Sequence, residues 1–177
     1  EIIEKLSVYN CKAKSINPRE NNIITVIPEK KELGFVGNPR TIKEKTLLDI
    51  IKKKEVPVVT PMGLDDGLIA YNINADITAG SIAKVLNSRR LLLMTDVEGV
   101  LDINKKLIPE INSDEAQEML KNGTITGGMI PKIKTCIDAV NNGVTGVVIV
   151  DGRKPHSILF EIFSDKGAGT LIRKWRI

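Results

Sequence analysis

The chain has 177 residues, 42% of them hydrophobic and 27% charged, enough for a core that buries roughly 70% of the unfolded surface without disulfides or a structural metal. That balance argues against disorder and against collagen-like or coiled-coil repeats. Its longest apolar runs, such as Leu91–Met94 and Val147–Val150, fall far short of the roughly 20 residues of a membrane-spanning helix.

Lys plus Arg (26) exceed Asp plus Glu (22), for a net charge of +4. The excess is spread along the chain and only 3% of residues are aromatic, so few rings are available to stack on bases and no nucleic-acid partner is expected. Anionic small molecules suit such a balance better. Cys11 and Cys136 have no Cys or His at metal-ligand spacing, and a single His excludes a His-rich metal site. Both thiols are expected to be buried and inert. With no signal-like apolar segment, a reducing, cytoplasmic compartment is the expectation.

In chain order, Ile23–Ile27 reads as a strand and Lys30–Glu32 as a solvated turn. From about residue 40, β-branched runs alternate with stretches of helical period, the pattern of parallel strands joined by crossover helices. Thr41–Lys54 carries Ile42, Leu47, Leu48, Ile50 and Ile51 mostly on one helical face, and Val56–Thr60 reads as a strand. Pro61, Gly63 and Asp65–Gly67 mark a loop or hairpin. Asp76–Asn87 is helical by its Ala79, Ile82, Ala83 and Leu86, and the apolar Leu91–Thr95 reads as a strand buried centrally.

Asn112 or Ser113 caps a helix with Asp114 and Glu115 in its first turn and Gly123 as its stop. Pro131 suits the first turn of another helix, with Ile133, Cys136, Ile137 and Val140 as the buried stripe and Gly143 at its end. Val147–Val150 is a buried strand followed by a turn at Asp151 and Gly152. His156–Phe163 is helical by Ile158, Leu159, Ile162 and Phe163, and Gly169–Ile172 reads as a last edge strand. Lys84, Lys105, Lys106 and Arg173–Arg176 are expected on solvated faces. The fold class is α/β, a three-layer αβα sandwich with a mainly parallel central sheet, over residues 1–177 as a single domain.

Ligands of open parallel sheets bind beyond the carboxyl ends of the strands, which directs the search to polar residues after apolar runs. Asn72, Asn74 and Asp76 alternate just before a helix and can share one face of an extended segment; a plain helix cap by Asn74 or Asp76 accounts for them equally well. Gly127, Gly128 and Met129 precede Lys132 at a helix start, where backbone N–H groups, the helix dipole and an ammonium can converge on a phosphate. An ordinary loop explains the same residues, and no Walker pattern occurs. Thr95 and Asp96 either line a nucleotide crevice or make a turn.

Taken together and in order, Leu33–Gly37, Asn72–Asp76, Leu93–Leu101, Gly127–Lys132, Asp151–His156, Glu161–Phe163 and Gly167–Thr170 resemble the amino acid kinase family, most closely its branch acting on acylated glutamate. The resemblance runs from about residue 23 to the end. It implies transfer of the ATP γ-phosphoryl group to the side-chain carboxylate of N-acetyl-L-glutamate, in arginine biosynthesis, with Mg²⁺ bridging the phosphates. Lys132 would meet the phosphates and the leaving oxygen, Asp76 would organise the catalytic lysines, and Asn72 and Asn74 would contact the acetylated amino acid. Thr95, Asp96, Gly127, Gly128 and Met129 would form the ATP site.

The family's Lys-x-Gly-Gly strand and later glycine-rich turn are not found, and the chain starts without Met. The chain is therefore expected to be the carboxyl-terminal, ATP-binding portion of a longer kinase, able to bind nucleotide but catalytically incomplete alone. Ser15–Asn22 departs from the family's Ser-Gly-Lys-Asp-Gly run, with Arg19 a stand-in for its lysine. Glu161 and Gly167 fit an arginine feedback site, although Val148 stands where a histidine is often found. A homodimer or higher homo-oligomer is expected at full length. Rival readings are a sister kinase acting on acetylaminoadipate or glutamate, and a non-catalytic nucleotide-sensing domain.

Overall fold

The computed structural model describes residues 1–174; Trp175 and Arg176, expected on a solvated face, lie outside the described residues. The chain forms two compact units, Glu1–Val85 and Leu86–Ile177. No helix among the described residues is long and apolar enough to cross a membrane.

In the first unit, α1 (Ile2–Val8) is followed by β1 (Ala13–Ile16), β2 (Ile24–Pro28), β3 (Gly37–Ile42), α2 (Glu44–Lys52), β4 (Val56–Val59), β5 (Met62–Leu64), β6 (Ala70–Asn72) and α3 (Ala75–Val85). β1 and β4 pair in parallel as a two-stranded sheet, and the remaining strands are ordered β3-β2-β5-β6. The β2–β3 and β5–β6 pairings are antiparallel, as short connections require. The β5–β6 turn is built by the Asp65 carboxylate, which accepts the N–H groups of Gly67 (2.9 Å) and Ile69 (2.8 Å). Gly63 belongs to β5 rather than to that turn, because a Cβ there would stand 2.5 Å from the Ile24 carbonyl oxygen. The Lys30–Glu32 turn is a single 3₁₀ turn, Lys31–Leu33. Ile16, Ile23, Ile24, Val26, Leu47 and Ile73 are the core.

The second unit contains β7 (Leu91–Thr95), β8 (Glu110–Asn112), α4 (Ser113–Lys121), α5 (Met129–Asn141), β9 (Gly146–Asp151), α6 (Ser157–Phe163) and β10 (Gly169–Arg173), in one sheet of order β7-β9-β10-β8. β9 is its apolar spine, with Val147, Val148, Ile149 and Val150 fully buried, each stabilising the fold by about 1.5–3 kcal/mol relative to exposure. Helix α5 covers it with Ile133, Cys136, Ile137 and Val140, all buried as their spacing requires. Asn112 caps α4 through a capping box: its side chain accepts the N–H groups of Asp114 and Glu115 at 2.8 Å each, and Glu115 returns a bond to the Asn112 N–H.

The α/β class is as expected, with mixed and mainly parallel sheets: among the described residues four strand pairings are parallel and three antiparallel. Several positions differ from the sequence reading. The helix expected over Thr41–Lys54 begins only at Glu44, because Thr41 and Ile42 pair with β2 as the end of β3. β10 is not an edge strand but lies between β9, to which it is antiparallel, and β8; Ile172 and Thr170 are accordingly buried. β7, expected centrally, is an edge of its four-stranded sheet, and Met94 is 50% exposed. α6 forms, yet Leu159, Phe160, Ile162 and Phe163 remain exposed and only Ser157 is buried. The apolar spacing there marks a helix without marking a core. Cys136 is buried as expected, whereas Cys11 is half-buried.

Candidate active site

In the first unit, β6 runs directly into α3 and sets out the residues of the Asn72–Asp76 motif. Asn72 and Asn74 are exposed on either side of Ile73, which is 1% exposed, so the two amides share the outer face of an extended segment. Asp76 does not continue that face, because the segment ends at Asn74 and Asp76 is already in the first turn of α3. The reason is the cap: Asn74 Oδ1 accepts the N–H groups of Asp76 (2.9 Å) and Ile77 (3.2 Å), satisfying orphan donors of the helix start. The other motif segment of this unit, Leu33–Gly37, abuts the same place. The Phe35 carbonyl accepts the Asn72 N–H at 2.8 Å, and the Phe35 ring is tilted against Tyr71 at 5.8 Å. Gly37 has to be glycine, since a Cβ would lie 2.8 Å from the Ile27 carbonyl oxygen.

In the second unit, β7 and β9 are parallel and end level, with Thr95 beside Asp151. Their carboxyl ends carry the polar residues. Thr95 is half-buried and Asp96 exposed; the Thr95 hydroxyl donates to Asp96 Oδ1 at 3.3 Å, and the Thr95 carbonyl accepts the Gly152 N–H at 2.8 Å. Four residues join α5 to β9, so α5, packed on β9, runs back along it. Thirteen helical residues and six strand residues each cover about 20 Å, which directs the start of α5 toward the same carboxyl rim.

That start is Gly127 and Gly128, both exposed, with Gly127 at φ +58° and open space where either Cβ would be. Met129 and Lys132 are half-buried in the first turn of the helix. The glycines are therefore not demanded by packing, and they leave the backbone open to a close approach.

The sequence marks Asp151–His156 as a polar segment after a buried strand but gives Asp151 and Arg153 no role of their own. Asp151 is 2% exposed, and it accepts three hydrogen bonds from Arg153: from Nε at 3.0 Å, from Nη2 at 3.0 Å and from the backbone N–H at 2.9 Å. The guanidinium, and then the backbone N–H, hold the Asp151 carboxyl at about 2, against the opposing effect of burial. A polar pair after a fully apolar run was the available signal; its bidentate geometry exists only in the fold.

A cavity of about 270 Å³ opens elsewhere in this unit, lined among others by Arg90, Glu110, Glu161, Lys166 and Gly167. Glu161 Oε2 accepts the Ala168 N–H at 3.0 Å, and Gly167, at φ +65°, would bring a Cβ to 2.8 Å from that oxygen. The two residues marked as a feedback site are thus in contact.

An open strand end next to a glycine-initiated helix is an anion-binding arrangement, and it agrees with the comparison to known proteins. Residues 2–151 match the amino acid kinase family, and the chain belongs to that family. Among its relatives are acetylglutamate kinases. It is 60% identical over 174 residues to the acetylglutamate kinase of Pelagibacter ubique, covering 98% of this chain and 60% of that protein. With the Brucella canis acetylglutamate kinase it shares 49% over 160 residues, covering 90% and 52%. The chain thus spans about 60% or less of the length of these relatives. The fold also matches the N-acetylglutamate synthase of Neisseria gonorrhoeae complexed with coenzyme A and N-acetyl-glutamate, with TM-score 0.89 and 22% identity over 98% of this chain and 40% of that one.

Proposed function

We propose that this chain is the ATP-binding portion of a kinase that transfers the γ-phosphoryl group of ATP to the side-chain carboxylate of N-acetyl-L-glutamate, giving ADP and N-acetylglutamyl phosphate. The observation that carries this reading is the 60% identity to an acetylglutamate kinase over 174 residues, which spans every motif discussed above. The reaction forms a bond from a carboxylate oxygen to phosphorus and breaks the bond to the β,γ-bridging oxygen, which leaves on ADP. Little covalent work falls to the protein in such a transfer; it aligns donor and acceptor and neutralises charge.

In this reading, Lys132 and the backbone at Gly127, Gly128 and Met129 receive the phosphates, with the N-terminus of α5 adding its dipole. Thr95 and Asp96 border the nucleotide. Asn72 presents its amide to the acetylated amino acid. Asn74 has its Oδ1 engaged as a cap, which leaves its Nδ2 to donate. Asp76 orients lysine ammonium groups without taking a proton. Mg²⁺ screens charge on the triphosphate when bound. Among the described residues no group of three or more His, Cys, Asp or Glu could hold a metal ion, so the ion would be carried mainly by phosphate oxygens and water.

Arginine as a feedback ligand would occupy the cavity at Glu161 and Gly167, whose lining offers the carboxylates of Glu110 and Glu161 to a guanidinium and the cations of Arg90 and Lys166 to an α-carboxylate. A cytoplasmic homo-oligomer, with this chain alone binding nucleotide but incomplete in catalysis, completes the reading. The test is acyl-phosphate formation, trapped with hydroxylamine, by the product of the complete open reading frame that encodes these residues. N-acetyl-L-glutamate should be preferred as acceptor over acetylaminoadipate and glutamate. Preference for either of the others would transfer the reading to a sister kinase, and nucleotide binding without any acyl phosphate would leave a sensing domain.

A further inference from the structure

The segment that leaves β7 is anchored at both ends. At Thr95 the carbonyl accepts the Gly152 N–H at 2.8 Å. At the far end Gly99, with φ +146°, packs directly on Thr170, and the Thr170 hydroxyl oxygen accepts the Val100 N–H at 2.8 Å while donating to the Ile108 carbonyl at 2.6 Å. Between these anchors Asp96, Val97 and Glu98 are all exposed. Glu98 is taken from across the strand end by Lys154, whose Nζ lies 2.5 Å from Oε1. The neighbour of Lys154 is Arg153, fixed by three hydrogen bonds to the buried Asp151. The bonds to Asp151 hold the Arg153 proton more tightly, and Asp96 and Glu98 add smaller attractions.

Stability does not account for the Lys154–Glu98 half of this arrangement. The Lys154–Glu98 pair has both side chains about half exposed, and exposed pairs contribute little to folding. The bonds from Arg153 outweigh the desolvation of Asp151, yet what the buried carboxylate holds in place is an arginine side chain that is 66% exposed. What the pairs do fix is the location of residues 96–98 relative to the end of β9. We propose that Asp151–Arg153 and Lys154–Glu98 form a clasp that positions the Thr95–Gly99 segment for nucleotide, which makes Glu98, Arg153 and Lys154 positioning residues for ADP and ATP. This inference rests on the reading that Thr95 and Asp96 border the nucleotide.

The experiment is calorimetric titration of the product of the complete open reading frame with ADP and Mg²⁺, using Glu98→Gln, Lys154→Gln and the double variant, with thermal melting of each. A field effect alone makes Glu98→Gln bind ADP more tightly, because a negative charge near the phosphates is removed. The clasp predicts the opposite: each single variant binds about threefold more weakly, the double variant is no weaker than either single one, and melting temperatures are unchanged. Equal or tighter binding by Glu98→Gln, or additive losses in the double variant, overturns the clasp while leaving the nucleotide site standing. Absence of ADP binding by the unaltered full-length protein overturns the nucleotide reading itself, and the clasp with it.

Discussion

The carboxylate of Asp151 holds the guanidinium of Arg153 through two side-chain hydrogen bonds of 3.0 Å and accepts the backbone N–H of the same residue at 2.9 Å. Its carboxyl therefore titrates at about 2 in the folded chain, against an ordinary 3.8. A depressed folded value means that the unfolded chain binds the extra proton first, so this contribution to stability is present above pH 4 and is lost as pH falls through about 2. Denaturant midpoints taken across that window should fall less steeply with acid in Asp151→Asn than in the unaltered chain. Parallel curves would show that the pair carries none of the acid sensitivity.

Two glycines separate packing from function. At Gly99, with φ +146°, a Cβ would stand 2.5 Å from Thr170 Oγ1 and 2.8 Å from Leu107 Cδ1. Gly99→Ala should destabilise the fold by about 2–3 kcal/mol through backbone strain and overpacking. At Gly128, with φ −64° and open space about it, alanine should change stability by about 0.5 kcal/mol or less. It should nonetheless weaken nucleotide binding, by placing a methyl group where the backbone meets phosphate. Chemical denaturation and calorimetry on the two variants test both halves; a Gly128→Ala protein with unaltered ADP affinity would remove the glycine from the site.

Asn74 is assigned two duties, and they can be parted. Asn74→Ala deletes the cap of α3 and should cost about 1 kcal/mol of stability, while Asn74→Asp keeps an accepting oxygen and the cap. The aspartate loses the Nδ2 donor and brings a negative charge toward an anionic acceptor. In the full-length protein Asn74→Asp should therefore raise KM for N-acetyl-L-glutamate at near-normal stability. An unchanged KM would leave Asn74 as a cap and nothing more.

Much of this chain is legible from local pattern. The apolar runs at Leu91–Thr95 and Val147–Val150, the helix cap at Asn112 and the stripe of α5 all follow from residue type and spacing, and each element forms, although β7 lies at an edge rather than centrally. What is not legible is decided between segments. β3 was missed because Gly37–Ile42 is polar and contains Pro39, which is tolerated because β3 is an edge strand. The neighbours of β7 and β10 depend on hydrogen-bond partners that neither sequence encodes locally. Of the site, Asn72, Gly127, Gly128 and Lys132 were readable as polar or glycine positions at element ends. The Asp151–His156 segment was readable in the same way, but not the pairing of Asp151 with Arg153, because burial and bidentate geometry are left open by the Asp-Gly-Arg spacing.

In the proposed reaction Lys132, in the first turn of α5, meets the phosphoryl group in flight. The most direct measurement is the turnover of Lys132→Met in the full-length protein, read as hydroxylamine-trapped acyl phosphate from N-acetyl-L-glutamate and ATP. A loss of about 10²-fold or more in kcat is expected, on the order of 3 kcal/mol of transition-state stabilisation, in a protein that melts at the same temperature. Unchanged turnover in that folded variant would contradict it.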